Sequence, residues 1–172
     1  NLISTSTHMT ATKVAERSAE TGENYITRNR REWRHMLGRA LGGGFAMGFA
    51  VWFKFLIGGL ALSLFWNGFV SGLNYAGIFV LVQLLHWTIA TKQPAMTAPA
   101  MAAKLKAMDQ PNAIDSFVDE VAHLIRSQVV AIVGNLLTVA PTAWLISWIL
   151  ERTTGTPMMA VTYAEYTLSS FH

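Results

Sequence analysis

Cysteine is absent from the 172 residues, so the chain has no disulfide, no thiolate metal site and no cysteine nucleophile. Charge is scarce: Asp, Glu, Lys and Arg make up 13%, about half of the roughly 25% found in a soluble domain. The five histidines stand apart, at 8, 35, 86, 123 and 172, without the close spacing that metal ligands need. GxxxxGK[ST], HExxH and GxSxG do not occur, which removes the usual phosphate-loop, zinc-protease and serine-hydrolase signatures. The sequence therefore implies no metal and no cofactor, and the reading is non-enzymatic.

The charge deficit is local. Between 40 and 90 the one full charge is Lys54, and 128–150 carries none. A bilayer crossing takes about 20 apolar residues at 1.5 Å each, so 40–90 reads as a transmembrane hairpin and 128–150 as a third span. The hairpin is expected to turn at Phe65-Trp66-Asn67-Gly68, with span one over 41–66 and span two over 68–90. The fold class is all-α: a polytopic helical membrane fragment with about three transmembrane helices plus amphipathic or interfacial ones. The segments are 1–39, polar and ending in a basic lead-in helix; 40–90, the hairpin; 91–127, a connection with two short helices; 128–150, the third span; and 151–172, a tail.

Residues 1–12 are rich in Ser and Thr and show no apolar period, and 12–20 read as a short polar helix or linker. Arg28, Arg30, Arg31, Arg34 and Arg39 then crowd ahead of the first span. On helical spacing Ile26, Trp33 and Leu37 share one side while these arginines wrap the rest, so the five are candidates for lipid-phosphate contacts. A basic patch beside a span is a lipid anchor before it is a nucleic-acid surface, and the reading is against nucleic acid.

Glycines recur one turn apart as Gly44-x-x-x-Gly48 and Gly68-x-x-x-Gly72. This spacing lets helix backbones approach closely, either within the chain or in a homo-oligomer. Lys54, Asn74, Gln83, His86 and Asn135 form a polar set within the apolar stretches. Polar groups at that depth are costly and either glue helices together or line a pathway. For Lys54 the alternative is a shorter first span, with its ammonium reaching the headgroups.

After span two, Thr97 is expected to cap a helix over 98–108 with Pro99 in its first turn. Asn112 is expected to cap a helix that continues into the third span, where Pro141 introduces a kink. Lys and Arg are denser in 1–39 and 91–127 than in the other connections. The positive-inside rule accordingly puts those two segments in the cytoplasm.

The stretches TGENYITRNRREW, GGGFAMGFAVWFKFLI and, most specifically, LNYAGIFVLVQLLHWTIATKQPAMTAPAMAAKL at 73–105 resemble a family of bacterial integral membrane proteins labelled site-specific recombinase. The resemblance implies a multi-pass protein of the inner membrane, longer than this chain, whose remaining parts and membrane lipids are partners. It carries over no catalytic residue. Chemically, His123-Leu124-Ile125-Arg126 followed by Tyr163 or Tyr166 has the order of a tyrosine recombinase, but the expected topology separates the pair from the tyrosines across the membrane. Three functions stand against one another: a non-enzymatic role in transport or envelope organisation, a membrane-tethered DNA-acting recombinase, and an assembly subunit working through its glycine faces.

Overall fold

The computed structural model of the protein describes residues 2–60, 62–106, 113–159 and 161–170. Helices account for nearly all of them, and no strand occurs among them. The order is α1 (Leu2–Glu23), α2 (Arg30–Gly59), α3 (Leu64–Leu84), a 3-10 turn (Ala90–Lys92), α4 (Gln93–Lys106), α5 (Ala113–Thr154) and α6 (Val161–Ser169). Three helices are long and apolar enough to cross a membrane: Arg30–Gly59, Leu64–Leu84 and Ile114–Thr154. The fold is all-α, as the composition implies.

The chain forms two compact units, one of Asn1–Leu41 with Thr88–Gly134, the other of Gly42–Trp87 with Asn135–His172. They interleave along the sequence rather than following its consecutive segments, because α2 and α5 each contribute one part to each unit.

In the first unit, α1 is one helix from Leu2 and packs along α4. The approach is close: a Cβ on Gly22 would stand 2.3 Å from the Met96 carbonyl oxygen and 3.2 Å from Ala100 Cβ. Helix α4 starts at Gln93, earlier than Thr97, because a proline in the first turn forfeits an N–H that has no intrahelical partner there. Thr97 is buried within α4 and donates its hydroxyl to the Gln93 carbonyl at 2.9 Å. The expected Asn112 cap lies outside the described residues. Ile26 precedes α2, and the buried face of that helix runs through Met36 and Ala40, with Trp33 and Leu37 half-buried beside it. Gly134 of α5 gives the space for Ala40, whose Cβ would be 2.7 Å from a Cβ placed there.

In the second unit α2 ends at Gly59 and α3 begins at Leu64, so the helices change over before the Asn67-Gly68 pair. Gly58-Gly59 ends α2 with the two residues that hold a helix least well, and Ser63 caps α3, accepting from Trp66 N–H at 3.5 Å. Asn67 is thus inside α3, and its side-chain amide reaches back to the Ile57 carbonyl at 3.5 Å. Seven residues on, Asn74 donates to Ala50 O at 2.9 Å, seven residues back along α2. The two bonds fix an antiparallel register one heptad apart.

Helix α3 ends at Leu84, short of Ala90. Trp87 N–H returns to Val82 O (2.9 Å) and His86 N–H to Gln83 O (3.2 Å), the paired bonds of a Schellman cap. His86 occupies its left-handed position, with φ 55°. Gly44 and Gly48 of α2 face α5: an added Cβ would meet Thr138 Oγ1 at 2.2 Å and Thr142 Cγ2 at 2.6 Å. Gly68 and Gly72 have open space where a Cβ would be. Helix α5 continues through Pro141 to Thr154, and Gly155, with φ 68°, ends it.

Burial in this unit is slight. Leu64, Phe65, Trp66, Phe69, Leu73, Val80 and Leu84 of α3 are exposed, as are Leu136, Leu137, Trp144, Leu145 and Trp148 of α5. Soluble monomers rarely leave contiguous apolar patches above a few hundred Å² uncovered.

Candidate functional site

The charged groups concentrate in the first unit, where the 24–29 segment meets α2, α4 and α5. Glu120 of α5 is the centre: its side chain is 7% exposed and its carboxylate lies between cations from two other elements. Arg28 binds it through two nitrogens, Nε to Oε2 at 3.3 Å and Nη2 to Oε1, the planar fork for which guanidinium is suited. Lys104 Nζ of α4 is 3.3 Å from Oε1, and His123 Nδ1 is 4.0 Å from Oε2. The Glu120 hydrogen bond raises the Arg28 pKa above its ordinary value, against a smaller opposing effect of burial. Arg28 is consequently a fixed positive charge.

Beside it, Thr27 and Ser127 tie the same segment to α5. Thr27 N–H donates to Ser127 Oγ at 2.7 Å, the two hydroxyls are 2.8 Å apart, and Ser127 Oγ also donates to His123 O at 2.7 Å. Arg126 Nη2 donates to the Thr27 carbonyl at 2.6 Å. The arginine of the HxxR pattern is therefore engaged in holding a backbone turn. Tyr163 and Tyr166 belong to the other unit, and their side chains lie outside what the structure describes.

Asn29 caps α2. Glu32 N–H donates to Asn29 Oδ1 at 2.9 Å, while the Glu32 carboxylate accepts from Asn29 Nδ2 (2.6 Å) and Arg28 N–H (2.7 Å). This is a variant of the capping box, legible in the sequence as Asn29-x-x-Glu32, in which the carboxylate takes the backbone N–H of Arg28, one residue before the cap. It turns Glu32 away from the face carrying Arg30, Trp33 and Arg34. Those three residues, with Asn29 and Arg126, line a cavity of about 390 Å³.

The five arginines thus divide. Arg28 is spent on Glu120, and the Arg39 guanidinium lies 5.8 Å from the centre of the Tyr25 ring. Arg30, Arg31 and Arg34 are exposed, and the described ion pairs include none of them.

The polar set of the second unit is spread along the hairpin. Lys54 is exposed, five residues from the end of α2. Asn74 is in mid-helix, satisfied by the Ala50 carbonyl. Gln83 is exposed one residue before the opposite end of the hairpin, and His86 lies beyond that end, in the cap. His86 therefore does not continue a helical face of α3, because the helix stops at Leu84. Asn135 is half-buried on α5, its backbone against Gly44. Among the described residues no three metal-ligating side chains converge.

Compared with known proteins, the chain matches the model of a family described as "Site-specific recombinase" over residues 1–172. No curated protein and no solved structure matches the chain.

Proposed function

We propose, for a chain that belongs to the site-specific recombinase family over residues 1–172, that it works as a multi-pass helical segment of the bacterial inner membrane with a non-enzymatic role in transport or envelope organisation. The observation that supports the membrane part of this reading is α3: 21 residues, apolar along its length, with almost none of its surface covered. Lipid is the solvent in which such a helix is stable. Phe65, Trp66 and Phe69 cluster at one end of it, with Phe65 and Trp66 ring centres 5.4 Å apart, a composition that suits the membrane boundary. In this reading Lys54 reaches the headgroups on the same side, one turn and a half from the end of α2. The 1–39 and 91–127 segments are cytoplasmic, as their Lys and Arg density favours.

Alkaline carbonate extraction tests the first part: the chain is expected to stay in the membrane pellet, and its release overturns the reading. Single cysteines in the Cys-free chain at 30, 67, 105 and 155 then report sidedness. Labelling of 30 and 105 from the cytoplasm and of 67 and 155 from outside is the expected pattern.

The family description supports a second reading, a membrane-tethered DNA recombinase. It requires strand transfer by the purified protein that is lost in Arg126→Ala or Tyr163→Phe. Absence of transfer disposes of it. An assembly role for the open Gly68/Gly72 face is a third reading, decided by crosslinking at Gly72 in native membranes.

A further inference from the structure

We infer that Arg30, Arg34 and Arg126, with Trp33 and Asn29, form a site for the phosphate headgroup of a single anionic lipid. The inference rests on the membrane reading and gives its basic collar a defined ligand.

Two elements meet at the cavity of about 390 Å³. Helix α2 brings Arg30, Trp33 and Arg34 on one face, at positions i, i+3 and i+4, and α5 brings Arg126. None of the five lining residues is acidic. The two nearby carboxylates are held elsewhere: Glu32 by the capping box and Glu120 by Arg28 and Lys104. Three arginines line one small space with no acidic residue among them, so an anion that enters meets charge of one sign only. Arg126 is not free to swing away, because it is anchored to the Thr27 carbonyl at 2.6 Å through one nitrogen. A guanidinium has five N–H donors, so it retains others for a second oxygen. A phosphate monoanion or diester offers the matching acceptors.

Position argues for lipid as the source of that phosphate. No full charge follows Arg39 in α2 until Lys54, so the hydrocarbon layer can begin near Ala40. Arg34 is then about 9 Å above it by helical rise, within reach of the headgroup layer for a long arginine side chain. The half-buried Trp33 indole has the character of an interfacial residue. A nucleic-acid duplex is served by a long row of cations, whereas these three line one short, open pocket the size of a single headgroup.

The test uses the 172-residue chain in mild detergent, titrated with phosphatidylglycerol or phosphatidylcholine and followed by native mass spectrometry. One phosphatidylglycerol is expected to bind saturably, in preference to phosphatidylcholine. Arg126→Gln and the double variant R30Q/R34Q should each weaken it by about tenfold, while Arg31→Gln, a neighbouring lipid-phosphate candidate outside the cavity, should weaken it by less than either. Because Arg126 also holds Thr27, the double variant and Arg126→Lys, which keeps that bond, guard against loss through misfolding; circular dichroism should match the parent.

Equal small losses for every arginine, Arg31 included, would show a diffuse field and overturn the site. Displacement of the lipid by inorganic phosphate at comparable concentration would assign a free-anion site instead, and displacement by a short DNA duplex would assign nucleic acid. A chain that stays in carbonate-washed membranes yet binds phosphatidylglycerol unaltered after R30Q/R34Q sinks the site alone. One that is released by carbonate sinks the membrane reading beneath it.

Discussion

Arg28 grips both oxygens of Glu120, a residue 92 positions away, and the two are buried unequally: the Arg28 side chain is 40% exposed, that of Glu120 only 7%. Removing the exposed partner and removing the buried one therefore have different costs. Arg28→Ala together with Lys104→Ala leaves a buried carboxylate without a cation and is expected to destabilise the first unit by about 3 kcal/mol. Glu120→Gln leaves two cations that water can reach, and should cost about 1 kcal/mol. Unfolding by denaturing detergent, followed by circular dichroism, measures the order; the reverse order would contradict the burial described here.

Ser127→Ala should cost about 2 kcal/mol, because it strands the buried Thr27 N–H, which has Ser127 Oγ as its acceptor at 2.7 Å. Adding Thr27→Val should increase the loss little, since the Thr27 hydroxyl has already lost its Ser127 Oγ partner. Strict additivity in this double-mutant cycle would mean that the two residues act apart.

The glycines separate into two classes. Gly44→Val and Gly48→Val drive a side chain into Thr138 and Thr142 and should cost about 2 kcal/mol or more. Gly68→Ala and Gly72→Ala enter open space and should gain up to about 1 kcal/mol each from helix propensity. If the second pair instead lowers stability at high protein concentration and not at low, that face is an interface between copies.

His86→Gly should stabilise the chain by about 1 kcal/mol, because φ 55° suits a residue without Cβ. His86 has an interaction of its own in the structure, so the gain is smaller than for an isolated cap. A loss larger than 1 kcal/mol would give the imidazole a role that outweighs its backbone strain. Thermal unfolding of the two proteins in one detergent decides it.

What could be read from the sequence follows from the range of each signal. Three long apolar helices are visible because the absence of charge accumulates over 20 residues or more, and no single neighbour overrides it. The hairpin turn was displaced because Asn67-Gly68 is a good turn in isolation, while Gly58-Gly59 and the Ser63 cap act first, and Asn67 finds a use for its amide across the hairpin. Helix α1 has no apolar stripe to announce its partner; Gly22 and Ala100 pack by smallness, which leaves no periodicity. The basic collar was legible as charge, but not its division. That Arg28 is committed to Glu120, and that Arg126 joins Arg30 and Arg34, depends on contacts across about a hundred residues. The Asn29-x-x-Glu32 box was present in the sequence and is short-range, so it is the one element of the collar that local reading alone can recover.

The chain leaving α3 is stitched to α2 twice in succession, by Trp87 over Gly42 at 2.6 Å from where a Cβ would be and by the Thr88 N–H on the Arg39 carbonyl at 3.0 Å. Foreign residues spliced into that seam would have to unpick both ties. Spliced beside the Gly58-Gly59 pair, where an added Cβ meets open space, they would have no such close approach to undo. A reporter loop or protease site for following the protein in cells belongs just after Gly59, ahead of the Ser63 cap, and the seam is where a ruler inserted into the chain would break it.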